Sequence, residues 1–136
     1  MALASVEVPA ALVAPVRETV VLLFEATVEA LHLALARGEP VDEVHRQRVR
    51  LAQLGALLDR LGWPPESAPE PVADYVELTA PREILHDAIY GALIDAGERL
   101  ADACNRCWRG EDEPEGVREA AREVIALDRL LQRIRG

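Results

Sequence analysis

Apolar residues recur with helical spacing along most of the chain, most regularly between residues 44 and 61. The seam there consists of Val44, Gln47, Leu51, Leu54, Leu58 and Leu61, which step by three and four. A helix places such positions on one side, so the pattern predicts an amphipathic helix that packs against a neighbour. Adding 73 to each number gives a second seam, formed by Val117, Ala120, Val124, Leu127, Leu131 and Ile134.

The helix that precedes the first seam has a different pattern. Of the 17 residues in 20–36, 13 are apolar, and the three ionisable exceptions, Glu25, Glu29 and His32, fall on one narrow side. A helix with so thin a polar stripe is buried on more than one side. We expect it either to be the central helix of the fold or to present a spare apolar face to a second subunit. Its polar interruptions argue against a membrane span.

These patterns recur as two similar units, residues 6–62 and 76–136, separated by a linker at 63–75 that contains four prolines. Each unit has a short extended arm, a long helix, a glycine turn at Gly38 or Gly110, and a second helix. The sequence therefore predicts one all-α domain, a four-helix bundle built from two duplicated helical hairpins and joined by a Pro-rich crossover linker.

Several boundaries within this scheme can be predicted. The arms Val6-Glu7-Val8 and Val76-Glu77-Leu78 are matched to each other and could pair as a two-stranded ribbon. Helix 1 is expected to start at Pro9 or Pro15, and helix 3 to run over about 80–108 with Thr79 as its N-cap. The length of the linker favours a crossover, in which helices 2 and 3 are parallel, over an up-down-up-down arrangement.

Composition narrows the classes of function. The net charge is −9 with 15 Arg and no Lys, which argues against nucleic-acid binding and against docking on anionic lipid. The absence of Lys excludes Schiff-base and P-loop chemistry. Two Cys are too few for a disulfide framework, and no basic segment precedes an apolar leader. We therefore expect a cytoplasmic protein that does not act at a membrane.

Two Glu-x-x-His motifs, Glu29 with His32 and Glu83 with His86, suggest a metal site. Di-iron and di-manganese bundles use two such motifs, because carboxylates bridge the metals and imidazoles complete each coordination shell. The additional Glu expected from each remaining helix is missing, and the motifs do not follow the repeat. No cofactor is predicted, and Fe, Mn or Zn enters only through this alternative.

Cys104 and Cys107 form a Cys-x-x-Cys motif, which makes them candidate redox residues. In thioredoxin-like sites the motif opens a helix, where the dipole favours the thiolate, whereas here it closes one. A zinc site would need more ligands, of which only His32 is available. We interpret the pair as structural.

Charged clusters offer two further interpretations. The segment His45-Arg46-Gln47-Arg48-Val49-Arg50 could bind nucleic acid or phosphate, but the acidic net charge favours pairing with neighbouring acids, namely Glu25, Glu29 or Asp95, Glu98 and Asp102 of helix 3. On helix 3, Asp95, Glu98 and Asp102 resemble the acidic faces of Mg-dependent nucleotide hydrolases, although the second acidic helix is missing.

The sequence thus favours a non-enzymatic helical bundle that acts through protein–protein contact, as a homodimer formed by helix 1 or with another protein partner. A carboxylate/histidine metal-binding bundle is the alternative, and a Mg-dependent hydrolase is the weaker one. No catalytic residue is predicted, since no nucleophile-and-base pair or Gly-rich loop is present.

Overall fold

The structure, a computed structural model, describes residues 3–63 and 74–135. Within these ranges the elements are β1 (Leu3–Pro9), α1 (Ala10–Ala36), α2 (Val41–Arg60), β2 (Tyr75–Pro81), α3 (Arg82–Trp108) and α4 (Pro114–Arg135). The predicted four-helix, mostly helical fold is confirmed. The two arms add a small antiparallel sheet to it, so the chain is not purely helical.

The two strands pair antiparallel, with Val6-Glu7-Val8 opposite Val76-Glu77-Leu78. Val6 lies opposite Leu78, and the strands begin 72 residues apart and have the same length. Both strands alternate between exposed and buried positions in the same order. The predicted pairing of the two arms as a two-stranded ribbon is therefore confirmed.

The alternation separates an inner face from an outer face of the ribbon. Val6, Val8, Leu78 and Ala80 are buried, whereas Ser5 and Thr79 face outward with their hydroxyl oxygens 2.9 Å apart. The prediction of Thr79 as an N-cap was wrong, because the strand continues past it.

Prolines mark the change from strand to helix in both units. Pro9 and Pro81 occupy the N-cap positions, with φ of −57° and −53°. Proline fixes φ near these values and lacks an N–H donor, which the first turn of a helix does not need. Helix α1 therefore begins directly after Pro9, and Pro15 lies inside it.

The turns at the far ends of the hairpins follow the predicted glycine pattern. Gly38 and Gly110 have φ of +66° and +73°, a region that only glycine enters without strain. Each follows the last turn of a 27-residue helix, and Glu39 and Glu111 each donate a hydrogen bond back into that turn. Both helices thus end in the same glycine-based C-cap.

The hairpins α1–α2 and α3–α4 meet where α1 crosses α3. Thr19 and Gly91 lie at this crossing, since a Cβ on Gly91 would be 2.6 Å from Cγ2 of Thr19. Each second helix also contacts the strand of the other unit, α2 on β2 and α4 on β1. Arg60 strengthens the first of these contacts by donating from Nε to the Glu77 carbonyl oxygen, 3.2 Å away.

The core lies at the ribbon end of the molecule. All six elements contribute to one cluster of buried apolar side chains. Its largest fully buried members are Val8, Val16, Val20, Leu54, Leu57, Leu78, Leu85, Ile89, Leu127, Leu130 and Ile134.

Burial along the two seams declines from the ribbon towards the glycine turns. Leu54, Leu58 and Leu61 are buried, whereas the first three seam positions of α2 are half-buried. The seam of α4 shows the same order, with Leu127 and Leu131 among its buried members.

The predicted linker falls largely on residues 64–73, which lie outside the described residues. Its two flanks are described, and both lie at the ribbon: Arg60 at the end of α2 contacts β2, and α3 starts directly after β2. The prediction that the linker crosses the length of the bundle is therefore wrong, because α2 runs toward the ribbon and α3 runs away from it.

Candidate interaction surfaces

Beyond its crossing with α3, helix α1 carries exposed apolar residues on two sides. A strip of exposed polar residues separates the two sides and consists of Glu18, Glu25, Glu29 and His32. The sequence pattern predicted this strip correctly. It did not predict that apolar residues on both sides of the strip would be exposed.

We call the side next to α2, away from α3, the outer face. On this side Phe24 packs against Gly55 of α2. Its ring carbon Cε2 is 3.7 Å from the position that a Cβ on Gly55 would occupy. Val28 and Leu35 continue the same side of α1 and are 45% and 61% exposed. Val41, at the start of α2, is 82% exposed. The outer face comprises these five residues, and the exposed Arg48 lies between Val41 and Gly55 on the same side of α2.

The second side lines a cleft between α1 and α3. Ala26, Ala30 and Leu33 continue the face of α1 on which Thr19 lies, at intervals of seven, eleven and fourteen residues. On α3, Glu98, Asp102 and Asn105 continue the face of Gly91 at the same intervals. All six side chains are exposed except that of Ala30, which is half-buried. The faces that touch at the crossing are thus open further along, so the two helices diverge.

The apolar wall of this cleft also borders a depression on hairpin α1–α2, near the Gly38 turn. Its volume is about 400 Å³. The residues that line it include Ala30, Leu33, Ala34, Arg37, Glu43 and Gln47.

The structure places the two Glu-x-x-His motifs on opposite sides of the helix crossing. Glu29 and His32 are exposed on the half of α1 nearer the glycine turn, whereas Glu83 and His86 lie in the first turns of α3, near the ribbon. Within the described ranges, no three His, Cys, Asp or Glu side chains are grouped to hold a metal ion. The metal hypothesis stays a prediction, which elemental analysis of the purified protein and of His32→Ala and His86→Ala variants can test.

His86 instead belongs to a small cluster of polar and aromatic side chains. Its ring stacks on Tyr90, with centroids 5.5 Å apart, and its Nδ1 is 3.7 Å from Asp87. Arg50 of α2 donates to the other Asp87 oxygen, 3.3 Å away. This cluster ties α2 to the start of α3 next to a depression bordered by Ile134.

Cys104 and Cys107 lie on the last turns of α3, and both are half-buried free thiols. Trp108, which ends the helix, is 89% exposed. The predicted position of the motif at the end of the helix is therefore confirmed. Its chemistry stays untested.

The basic cluster of α2 pairs with acids, but not with those suggested by the sequence. Arg46 contacts Glu43 one turn earlier, and Arg50 contacts Asp87. On α3, Arg99 forms ion pairs with Asp95, at 2.6 Å, and with Glu123 of α4. Two of the three arginines in the cluster, Arg46 and Arg50, thus have carboxylate partners.

By length and composition, α1 could cross a membrane. One 18-residue window has a mean hydropathy of 1.7, which differs from the prediction that the helix is too interrupted to do so. Core helices of soluble proteins and N-terminal signal sequences have the same property, so this is weak evidence. Only 22% of that window is buried within the fold.

The sequence matches no known protein-family model, and no curated protein or solved structure is significantly similar to it.

Proposed function

We propose that this chain is a non-enzymatic protein that forms a homodimer through the outer face. The observation that carries the proposal is the exposure of Val28, Leu35 and Val41 on one side of hairpin α1–α2. In a symmetric dimer each residue of the interface meets the same surface of its partner. Two copies of a chain with net charge −9 repel each other through their acidic surfaces, and the outer face carries no acidic residue among the five that define it.

The packing of the first half of α1 favours a water-exposed dimer over a membrane span. Leu12, Val16 and Val20 belong to the core shared by all six elements. A helix that crossed a bilayer would have to leave this core and expose its partners to water, which burial of these side chains opposes. We therefore place the protein in the cytoplasm, where fractionation of cells should recover it without detergent.

Sedimentation of the purified protein tests the dimer. We expect a mass of about 30 kDa, twice that of the chain, falling on dilution. The double variant Val28→Glu, Leu35→Glu should weaken association about a hundredfold or more, because its charges would be buried without partners. Ile125→Glu is the matched control, since this exposed residue lies on α4. A mass of about 15 kDa at all concentrations, or equal effects of the two variants, would contradict the proposal.

We further propose that the two units arose by duplication of a strand–helix–helix element. Strands and first helices begin 72 residues apart, and the seams of the second helices are 73 apart. One residue inserted between α3 and α4 accounts for the change. The two hairpins would then share an ancestor and differ in the side chains that they expose.

A further inference from the structure

The cleft between α1 and α3 has two walls of opposite chemistry. Ala26, Ala30 and Leu33 make one wall apolar, while Glu98 and Asp102 make the facing wall acidic. These two carboxylates make no ion pair within the described part of the chain. The neighbouring Arg99 pairs instead with Asp95 and Glu123. The cleft therefore presents an apolar stripe opposite uncompensated negative charge.

We propose that this cleft binds an amphipathic helix of another protein, with an apolar face and a face rich in Arg or Lys. The apolar face would pack on the α1 wall, where two alanines permit close approach of the helix axes. The cations would lie opposite Glu98 and Asp102, about two to three turns from the crossing. The two walls are in close contact at Thr19 and Gly91 and diverge beyond it. A third helix can therefore bind at the point where the distance between the walls matches its diameter.

The chain itself offers no complement to these walls. Residues 64–73, which could in principle reach a groove, contain Glu66 and Glu70 and no basic residue. The apolar face of α4, the helix with the clearest arginine-rich side, is already buried by Leu127, Leu130 and Leu131. A second copy bound through the outer face would also leave the cleft open, because the polar strip separates the two surfaces. The occupant is thus a different protein.

Two synthetic peptides test this inference by fluorescence anisotropy. They share one Leu/Ala helical face and differ in the other, which is Lys/Arg in one peptide and Glu in the second. The cationic peptide should bind, more weakly as salt increases, and the anionic one should not. Glu98→Gln with Asp102→Asn should weaken binding about fivefold to thirtyfold.

A control for general charge attraction is Glu7→Gln with Glu77→Gln, which removes the same amount of charge from the exposed side of the ribbon. This double variant should change binding less than twofold. If it weakens binding as much as the cleft variant does, or if the cleft variant binds like the wild type, the inference is overturned.

The apolar wall has its own matched pair, because Leu33 and Leu35 lie on opposite sides of the polar strip. Leu33→Ser should weaken peptide binding and leave the dimer intact, whereas Leu35→Ser should do the reverse. Circular dichroism checks that both variants fold. If Leu33→Ser and Leu35→Ser change peptide binding equally, the inference is overturned. Sedimentation of the same variants tests the dimer separately, so that failure of one proposal can be told from failure of the other.

Discussion

Hairpins α1–α2 and α3–α4 have the same skeleton and different exposed surfaces. Their first helices both have 27 residues, their seams are buried in the same order, and their turns use glycine at the same place. Yet Ala26, Ala30 and Leu33 on one correspond to Glu98, Asp102 and Asn105 on the other. The positions near the ribbon are thus constrained by the fold, whereas those beyond the crossing are free to carry function.

The largest expected effect tests the similarity of the two hairpins. Leu54 and Leu127 are fully buried at matching seam positions. Replacing either with Ala should lower the free energy of unfolding by about 2–5 kcal/mol, through lost burial and the cavity left behind. Chemical denaturation should give nearly equal losses for the two variants. A clear difference would show that the hairpins are not equivalent at the ribbon end.

A smaller effect tests the point at which the hairpins touch. Gly91→Ala would place a methyl 2.6 Å from the methyl of Thr19. The Thr19 side chain is held in place because its hydroxyl donates to the Pro15 carbonyl oxygen, 3.2 Å away. Such overpacking should cost about 1–3 kcal/mol. Thr19→Ser removes the clashing methyl and should restore most of this loss in the double variant.

Gly97 provides the control on the same helix, because a Cβ there would meet no atom within 4 Å. Gly97→Ala should stabilise the protein by about 0.5–1 kcal/mol, since alanine is the better helix former. If thermal unfolding shows the two substitutions to be equally tolerated, α1 and α3 do not cross at Gly91.

The smallest effect concerns the ribbon, where both units contribute an acid. Glu7 lies directly opposite Glu77 on the exposed face. Like charges in such cross-strand pairs destabilise a sheet, so Glu7→Arg should raise stability by about 0.2–1 kcal/mol. The gain should shrink at high salt, because the exposed charges are screened. A loss of stability at low salt would contradict the register.

Local patterns in the sequence were sufficient to predict much of this fold. The leucine seams, Gly38 and Gly110 predicted the helices and turns, since periodicity and backbone preference are local properties. The metal and redox candidates were also recognised from local spacing, but spacing does not say which helices meet. The structure separates His32 from His86 across the crossing.

The cleft could not be predicted in the same way. Whether Leu33 is buried or exposed depends on where α1 leaves α3, which is set by the tertiary packing around Thr19 and Gly91. A glycine within a long helix was the available signal, because such glycines often mark a close approach of two backbones. Without knowledge of its partner, that signal could not be used.

The exchange of strand contacts between the units has a consequence for biosynthesis. The inner face of β1 and the seam of α2 are completed by β2, whose residues follow those of β1 by 72 positions. At about 5–20 residues per second, the ribosome needs roughly 4–14 s to add them. For that interval Val6 and Val8 lack their final partners on β2, and Leu54 lacks its own for the shorter time between its synthesis and that of β2. The protein can complete its core only when both halves have emerged, so a ribosome stalled between them would hold a chain prone to pair with its neighbours.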